Sequence, residues 1–298
     1  MQPIIYNSLD ADAPRLTIEP GTLKTILKAC LVTGYGDKPA AGWEMAWEDA
    51  DANKMALRSK NPTSIKSVLL IDDGQANPAT VTAYKDWDSA KNTGVDKFGG
   101  GYFVKRWDRD VNNRITPNWV IVATDKFFYL FVQTEKSSRT MRAMSGFGDA
   151  MSLRNDKVYA ALLASSDTSY TKDSTGYDSV RTNNGEAEFP QSLFPKSSAS
   201  TRWGDRGKDD DNADSSNTAI LSQFALYIDV DTSGAKGTKR QPILQLPGML
   251  MPHAPTFYEK QINDIQMISK QLPYVNPILG IWQPWHGRVW IHTDDWGR

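Results

Sequence analysis

From residue 43 onward the chain contains many short runs in which large apolar or aromatic residues alternate with polar ones. WEMAW, NKMALRS, SIKSVLLIDD and ATVTAYKDW are such runs, and the turn signal DDGQANP separates the last two. Alternation with a period of two is typical of strands with one buried face. The segment PNWVIVATDKFFYLFVQTE predicts two more strands, joined by a tight turn at Asp125–Lys126.

One segment near the N-terminus has a helical period instead. In GTLKTILKACLVTG five apolar residues form a single stripe, namely Leu23, Ile26, Leu27, Cys30 and Leu31. This spacing predicts an α-helix over residues 22–33, with Thr22 as its N-cap and Gly34 in a left-handed turn at its end. Lys24 and Lys28 lie outside the stripe. The expected fold class is therefore α+β and β-dominated, with mostly antiparallel strands, one amphipathic helix and long surface loops.

Composition divides the chain into three parts. We expect residues 1–164 to form an α+β core, and residues 218–298, rich in Trp and Pro, to form a β-rich part packed on that core. Residues 165–217 are polar and poor in aliphatic side chains, which predicts an extended arm or loop. Interface candidates are Tyr170, Tyr177, Phe194 and Trp203 in this arm and Trp282 and Trp285 near the C-terminus.

Charge and hydropathy limit the classes of partner. The 35 acidic and 34 basic residues nearly cancel, so the chain has no general attraction for nucleic acid or anionic membranes. No apolar segment approaches the ~20 residues that span a bilayer. The N-terminus also lacks the basic start and the following apolar run that are typical of a signal peptide. We expect synthesis in the cytoplasm, no specific nucleic-acid partner and no membrane insertion.

Motifs for catalysis and metal binding are incomplete. The single cysteine, Cys30, cannot form an internal disulfide and lies on an apolar helix face, which favours a core residue. Any histidine base must come from His253, His286 or His292, all in the C-terminal part. DVDTSG begins like a calcium loop, but Arg240 stands where the loop requires a bidentate Glu. We predict no enzymatic activity, no cofactor and no metal.

The glycine-rich segment LVTGYGDKPAAGWEMAW is a candidate phosphate loop or a structural corner. Phosphate loops lead into a helix N-terminus, whereas here the predicted helix comes before Gly34 and Gly36. We therefore interpret the segment as a structural corner. Its glycines permit unusual backbone angles, Pro39 stiffens the exit, and Trp43 and Trp47 pack into the core or against a neighbour.

The N-terminal segment APRLTIEPGTLKTILKACLVTGYGDKPAAGWEMAW resembles the opening of a family of tailed-bacteriophage virion structural proteins. Members typically have an extended segment, then an apolar helix ending in a leucine, a cysteine and a GYG-type turn, and then a KPAAGW segment. NWVIVATDKFFYLFV, GFGDAMSLRNDKVYAALLAS and PILGIWQPWHGR are similar to the central and C-terminal blocks of that family, whereas residues 165–217 are not covered. The resemblance implies a virion component and brings no catalytic residues.

We therefore expect a structural component of a bacteriophage virion, made in the host cytoplasm and located in the particle. The leading interpretation is a tail or baseplate (tail-tip) subunit that contacts other virion proteins and forms a homo-oligomer in a symmetric ring or assembly. One alternative is a head–tail neck or capsid-associated structural protein. Others are a carbohydrate-binding or receptor-binding module and a tail-associated glycan hydrolase.

Overall fold

The structure is a computed structural model of the chain. It describes residues 2–105, 118–136, 139–152, 157–165, 178–183, 191–192, 221–230, 239–252, 290–291 and 296. The chain divides into two compact units. Unit 1 contains Met1–Asp149, Ala160–Ser192 and Gly297–Arg298, and unit 2 contains Ala150–Tyr159 and Leu193–Trp296.

Strands dominate the described residues, which confirms the predicted β-rich α+β class. The first part of the chain contains helix α1 (Thr22–Lys28), a π-helical turn (Ala29–Thr33) and twelve strands. These are β1 (Ile4–Asn7), β2 (Trp43–Asp49), β3 (Lys54–Ser59), β4 (Val68–Asp72), β5 (Ala79–Asp88), β6 (Thr93–Phe103), β7 (Asn118–Ala123), β8 (Phe127–Lys136), β9 (Arg139–Ser152), β10 (Val158–Ser165), β11 (Asp178–Thr182) and β12 (Gln191–Ser192). Three more follow in unit 2: β13 (Leu221–Val230), β14 (Lys239–Pro252) and β15 (Trp290–Ile291).

The main path of strands runs in the order β1-β7-β8-β9-β10-β6-β5-β4-β3-β2. Strands β2 to β6 form one antiparallel meander, and β7 to β9 form a second, to which β1 adds antiparallel to β7. Strand β10 reaches β6 at the pair Ser165↔Tyr102. Consequently β1 and β2, which are close in sequence, lie at opposite ends of the path.

The core of unit 1 lies between α1 and one face of these strands. Alternate described residues of these strands contribute to it, as the period of two requires. They join one buried cluster with the helical stripe, and include Tyr6, Trp43, Met55, Leu57, Leu69, Ile71, Val81, Phe103, Trp119, Ile121, Phe128, Leu130, Phe147 and Leu162. The predicted stripe is confirmed, since its five side chains are fully buried.

The helix is shorter than predicted, because the last turn is π-helical. Only Thr22–Lys28 is α-helical, and Ala29–Thr33 has the wider hydrogen-bond spacing. The carbonyl of Cys30 accepts a hydrogen bond from the Ala41 N–H at 3.0 Å, so the chain returning from the loop pairs with this turn. Gly34 has φ 78° and ψ 170°, an extended conformation reserved for glycine rather than the expected left-handed turn.

The predicted N-cap is wrong. The Thr22 hydroxyl donates to the carbonyls of Thr17 and Glu19 and does not cap the helix. Lys24 was also expected outside the stripe, yet it is buried and forms an ion pair with Glu48 at 3.1 Å. Lys24 is drawn inward because Glu48, on β2, lies beside the helix.

The tight turn between β7 and β8 is confirmed. Thr124 N–H donates to the Phe127 carbonyl at 2.8 Å. The hydroxyl oxygen of Thr124 accepts hydrogen bonds from the backbone N–H groups of Lys126 and Phe127, both at 3.2 Å. A threonine side chain that pairs with its own turn explains why no glycine is needed here.

Strands β11 and β12 lie within the range predicted to form an arm. Strand β11 pairs antiparallel with β10 in unit 1, from Ala161↔Thr182 to Ser165↔Asp178. Apart from Ser165 and Asn183, the remainder of residues 165–217 lies outside the described residues, so the arm stays a prediction. In unit 2, β13 and β14 form an antiparallel pair, and β15 pairs with β14.

Leu27→Ala should destabilise the protein, because Leu27 is fully buried between helix and sheet. We expect a loss of about 2–5 kcal/mol in the free energy of unfolding, measured by urea denaturation. Leu9→Ala is the matched control, since Leu9 is 82% exposed, and its effect should stay within about 0.5 kcal/mol. Equal effects of the two substitutions would contradict the packing of α1 on the sheet.

Candidate functional site

The loop of residues 34–42 joins the two ends of the strand path, and we call it the closure loop. At one end it contacts β1: Lys38 Nζ donates to the Ile5 carbonyl at 3.0 Å, and the Tyr6 hydroxyl donates to the Pro39 carbonyl at 2.7 Å. At its other end the loop continues directly into β2. The loop therefore holds one edge strand and starts the other.

A two-residue turn shapes the tip of the closure loop. Tyr35 and Lys38 exchange both backbone hydrogen bonds, at 3.1 and 2.8 Å. Gly36, with φ 49°, occupies the first central position, where a type II′ turn favours glycine. At Gly34 an added Cβ would lie 2.6 Å from the Lys38 carbonyl oxygen, so only glycine fits there. These glycines serve backbone geometry, in agreement with the interpretation as a structural corner.

The exit of the closure loop contacts the β7–β8 turn. Trp43 is buried in the core of its own chain, and its indole N–H donates to the Thr124 carbonyl at 2.8 Å. The Asn61 side-chain amide donates to Asp125 Oδ2 at 2.6 Å beside it. The turn between β7 and β8 is thus tied both to the start of β2 and to the loop after β3.

Half-buried Tyr35 of the closure loop packs against the buried residues Tyr6 and Cys30. Tyr35 donates its hydroxyl to Asp10 Oδ2 at 2.9 Å, and its ring lies 5.9 Å from that of Tyr6. Burial raises the pKa of Tyr6, and burial together with the hydrogen bond to Asp10 raises that of Tyr35. Burial also raises the pKa of Cys30, so its thiol stays protonated and inert at neutral pH.

A buried carboxylate caps α1 from a distant part of the sequence. Asp73 Oδ2 accepts the backbone N–H groups of Leu23 and Lys24 at 2.9 and 3.0 Å. The Asp73 carbonyl accepts the N–H of Gly21 at 2.9 Å. Three amide groups at the helix start are therefore satisfied by one residue that follows β4, in place of a local cap.

The second oxygen of Asp73 pairs with a buried lysine. Lys105 Nζ lies 2.7 Å from Asp73 Oδ1, and both side chains are 0% exposed. The same Nζ donates to the carbonyls of Glu19 and Gln75 at 2.9 and 3.0 Å. Burial raises the pKa of Asp73 and lowers that of Lys105, whereas their mutual hydrogen bond opposes both shifts.

Sequence analysis missed this pair. The residues lie 32 positions apart, and Leu23, in the helix that they stabilise, lies 50 positions before Asp73. Asp73 belongs to a DDG turn signal and Lys105 follows the aromatic run GYFV, and neither context identifies the other residue. Only the tertiary fold brings them together.

A second buried carboxylate lies next to the β7–β8 turn. Asp149 follows Gly148 in β9 and is 8% exposed. Its carboxylate accepts hydrogen bonds from Ser64 Oγ at 3.1 Å and from the Ile65 N–H at 3.4 Å. Burial raises the pKa of Asp149 to about 6, and nearby Asp125 adds to this while Lys126 opposes it. Asp149 fixes the loop after β3 against β9.

A cluster of aromatic residues covers the opposite face of β3 and β4, and we call it the outer aromatic cluster. Ala56 and Val68 are its buried floor, and Trp87 covers them. The ring of half-buried Trp47 lies 5.8 Å from that of Trp87, and half-buried Tyr84 meets Trp87 nearly edge-on at 6.4 Å.

The indole N–H of Trp87 stands out within this cluster. It is buried, and among the described residues it is the one buried side-chain polar group without a hydrogen-bond partner. A buried donor without an acceptor costs about 1–3 kcal/mol and calls for an explanation. The Trp87 N–H therefore has no acceptor within the described part of the chain.

The other predicted site residues lie outside the described residues. These are Tyr170, Tyr177, Phe194, Trp203, Trp282 and Trp285, together with His253, His286 and His292. Within the described ranges no three His, Cys, Asp or Glu side chains are grouped so as to hold a metal ion. No helix in those ranges has the length and apolar character needed to cross a membrane.

Comparison with known proteins adds no relative. No protein-family model, no curated protein and no solved structure matches this chain. The family resemblance stated from the sequence thus receives no support from these comparisons.

Lys105→Met should be strongly destabilising, because it leaves the Asp73 carboxylate buried without its counter-charge. We expect a loss of about 3–5 kcal/mol in the free energy of unfolding, measured by urea denaturation. The control is Lys54→Met, which breaks the solvent-exposed ion pair with Asp72 and should cost at most about 1 kcal/mol. Similar losses in both variants would show that burial of the Asp73–Lys105 pair has no special role.

Asp149→Asn should change the pH dependence of stability. The folded-state pKa of about 6 exceeds the ordinary value of 3.8, so the folded protein binds more protons than the unfolded chain between these values. The stabilisation from this group is full at acidic pH and is lost as the pH rises through about 6. Asparagine cannot titrate and removes this loss.

The measured quantity is the free energy of unfolding of the variant minus that of the wild type. It should rise by about 2 kcal/mol between about pH 4 and about pH 7. Thr80→Ser, at an exposed position without a titrating side chain, is the control and should give a nearly constant difference. The same constant difference for Asp149→Asn would contradict the raised pKa.

Proposed function

We propose that this chain is a structural subunit of a bacteriophage virion, a tail or baseplate (tail-tip) component that acts through subunit–subunit interfaces. The observation that carries the proposal is the outer aromatic cluster. The resemblance of APRLTIEPGTLKTILKACLVTGYGDKPAAGWEMAW to virion structural proteins supplies the biological setting. A head–tail neck or capsid-associated structural protein would use the outer aromatic cluster in the same way.

The outer aromatic cluster has the character of an interface anchor. Trp and Tyr are enriched at the centres of protein interfaces, where large rings fill pockets of a partner. Trp47 and Tyr84 are half-buried over an apolar floor that includes Ala56 and Val68, and the Trp87 N–H lacks an acceptor. In the proposed assembly a neighbouring subunit covers Trp47 and completes the cluster.

Several charged groups support the same interpretation, because their partners belong to the fold. Asp73 and Lys105 hold the start of α1, and Asp149 holds the loop after β3. Lys38 in the closure loop holds the edge strand β1 through Ile5. These charged groups stabilise backbone geometry, as a subunit that must keep its shape within an assembly requires.

A carbohydrate-binding or receptor-binding module is the second candidate. The observation that favours it is the same pair of half-buried rings, Trp47 and Tyr84, because aromatic faces also stack on sugars. The two proposals differ in what covers the cluster, since a glycan would bind the isolated subunit and a neighbouring subunit would not be required.

Trp47→Glu should prevent assembly if the cluster is a subunit interface. We expect the wild-type protein to form oligomers in a concentration-dependent manner in sedimentation velocity, and the variant to remain monomeric, because a carboxylate cannot be buried there without a partner. Leu9→Glu is the control, since Leu9 is an exposed apolar residue away from the cluster, and it should assemble as the wild type does.

Circular dichroism must show that both variants are folded. A monomeric wild type at every accessible concentration, or undiminished assembly of Trp47→Glu, would contradict the interface. Binding of the monomer to cell-surface glycans, abolished by Trp47→Glu and retained by Leu9→Glu, would favour the receptor-binding candidate instead.

A further inference from the structure

The contact between Asp73 and Lys105 has the geometry of a reactive pair. Lys105 Nζ lies 2.7 Å from Asp73 Oδ1, and the carbonyls of Glu19 and Gln75 hold the nitrogen in place. Both side chains are 0% exposed, so bulk water does not compete for either group. Holding a nucleophile beside a carboxyl group raises its effective concentration far above that of the same two groups free in solution.

The second oxygen of the carboxyl group faces two amide donors. Asp73 Oδ2 accepts the N–H groups of Leu23 and Lys24 at 2.9 and 3.0 Å. Addition of an amine to a carboxyl carbon places negative charge on this oxygen. Preorganised backbone N–H groups stabilise such a charge, as they do in the oxyanion holes of acyl-transfer enzymes.

We propose that Asp73 and Lys105 condense to form an intramolecular isopeptide bond. The Lys105 amine attacks Cγ of Asp73, a C–N bond forms, and the bond from Cγ to Oδ1 breaks. Of the three ammonium protons, two pass to Oδ1, which leaves as water, and the third stays on the amide nitrogen. Nothing is oxidised or reduced, and no co-reactant is needed.

The surroundings of the pair favour each step. Removing two charges from water makes the neutral acid and amine more competitive with the ion pair, in line with the raised pKa of Asp73 and the lowered pKa of Lys105. Oδ2 becomes the amide oxygen and keeps both backbone donors. The N–H of the new amide, at Lys105 Nζ, can still donate to the carbonyl of Glu19 or Gln75.

The product is a covalent link between the residue after β4 and the second residue after β6. It fixes the helix cap at Asp73 to the chain at Lys105 and encloses β5 and β6 in a closed loop. A cross-link of this kind restricts the unfolded chain in the way a disulfide does. This inference does not depend on the proposed virion role.

Intact-mass spectrometry of the folded wild-type protein, denatured only for measurement, tests the proposal. The expected mass is that of the sequence minus one water molecule. Lys105→Met should have its full sequence mass, because it has no amine at this position. A wild-type mass equal to that of the sequence would overturn the proposal and leave the pair a plain ion pair.

Peptide mapping excludes another source of water loss. Asp73 precedes Gly74, and an Asp-Gly step can lose water by forming a succinimide without involving Lys105. Trypsin does not cleave after an acylated lysine, so the isopeptide should give a branched species in which residues 67–85 are joined to residues 98–106. Separate peptides, or water loss that persists in Lys105→Met, would overturn the proposal.

Discussion

The carboxylate of Asp73 is the interaction on which the rest of unit 1 depends. One oxygen satisfies the start of α1, the other meets Lys105, and the backbone of the same residue bonds Gly21 and Asn53. The helix has no local side-chain cap, so its position over the sheet is set by a residue that follows β4. The cap of the helix therefore exists only when β4 is in place.

The closure loop contacts both ends of the strand path, β1 and β2. An edge strand exposes unpaired backbone groups and invites unwanted pairing. Lys38 covers the Ile5 carbonyl of β1, while Trp43 ties the start of β2 to the β7–β8 turn. The glycine-rich segment thus connects the edge strands β1 and β2. Its glycines adopt backbone conformations that other residues would adopt only with strain. The outer aromatic cluster lies on the other face of β3 and β4.

Local patterns predicted the elements, and tertiary contacts decided the details. The stripe from Leu23 to Leu31 was sufficient to predict the helix and its core face, and the alternation in β2 to β5 to predict strands. Thr22 was predicted as the cap because a sequence shows only local candidates. Asp73 acts from 50 residues away, so no window around the helix contains it. Trp87, whose role depends on Trp47 across the sheet, was missed for the same reason.

We propose that this chain works as a virion subunit whose outer aromatic cluster is covered by a neighbour. An electron cryo-microscopy reconstruction of phage particles purified from the source culture tests it most directly. The account predicts that density for this chain recurs around a symmetry axis of the particle, with Trp47 buried under an adjacent subunit. Absence of the chain from the particles, or Trp47 facing solvent in the assembled state, would contradict it.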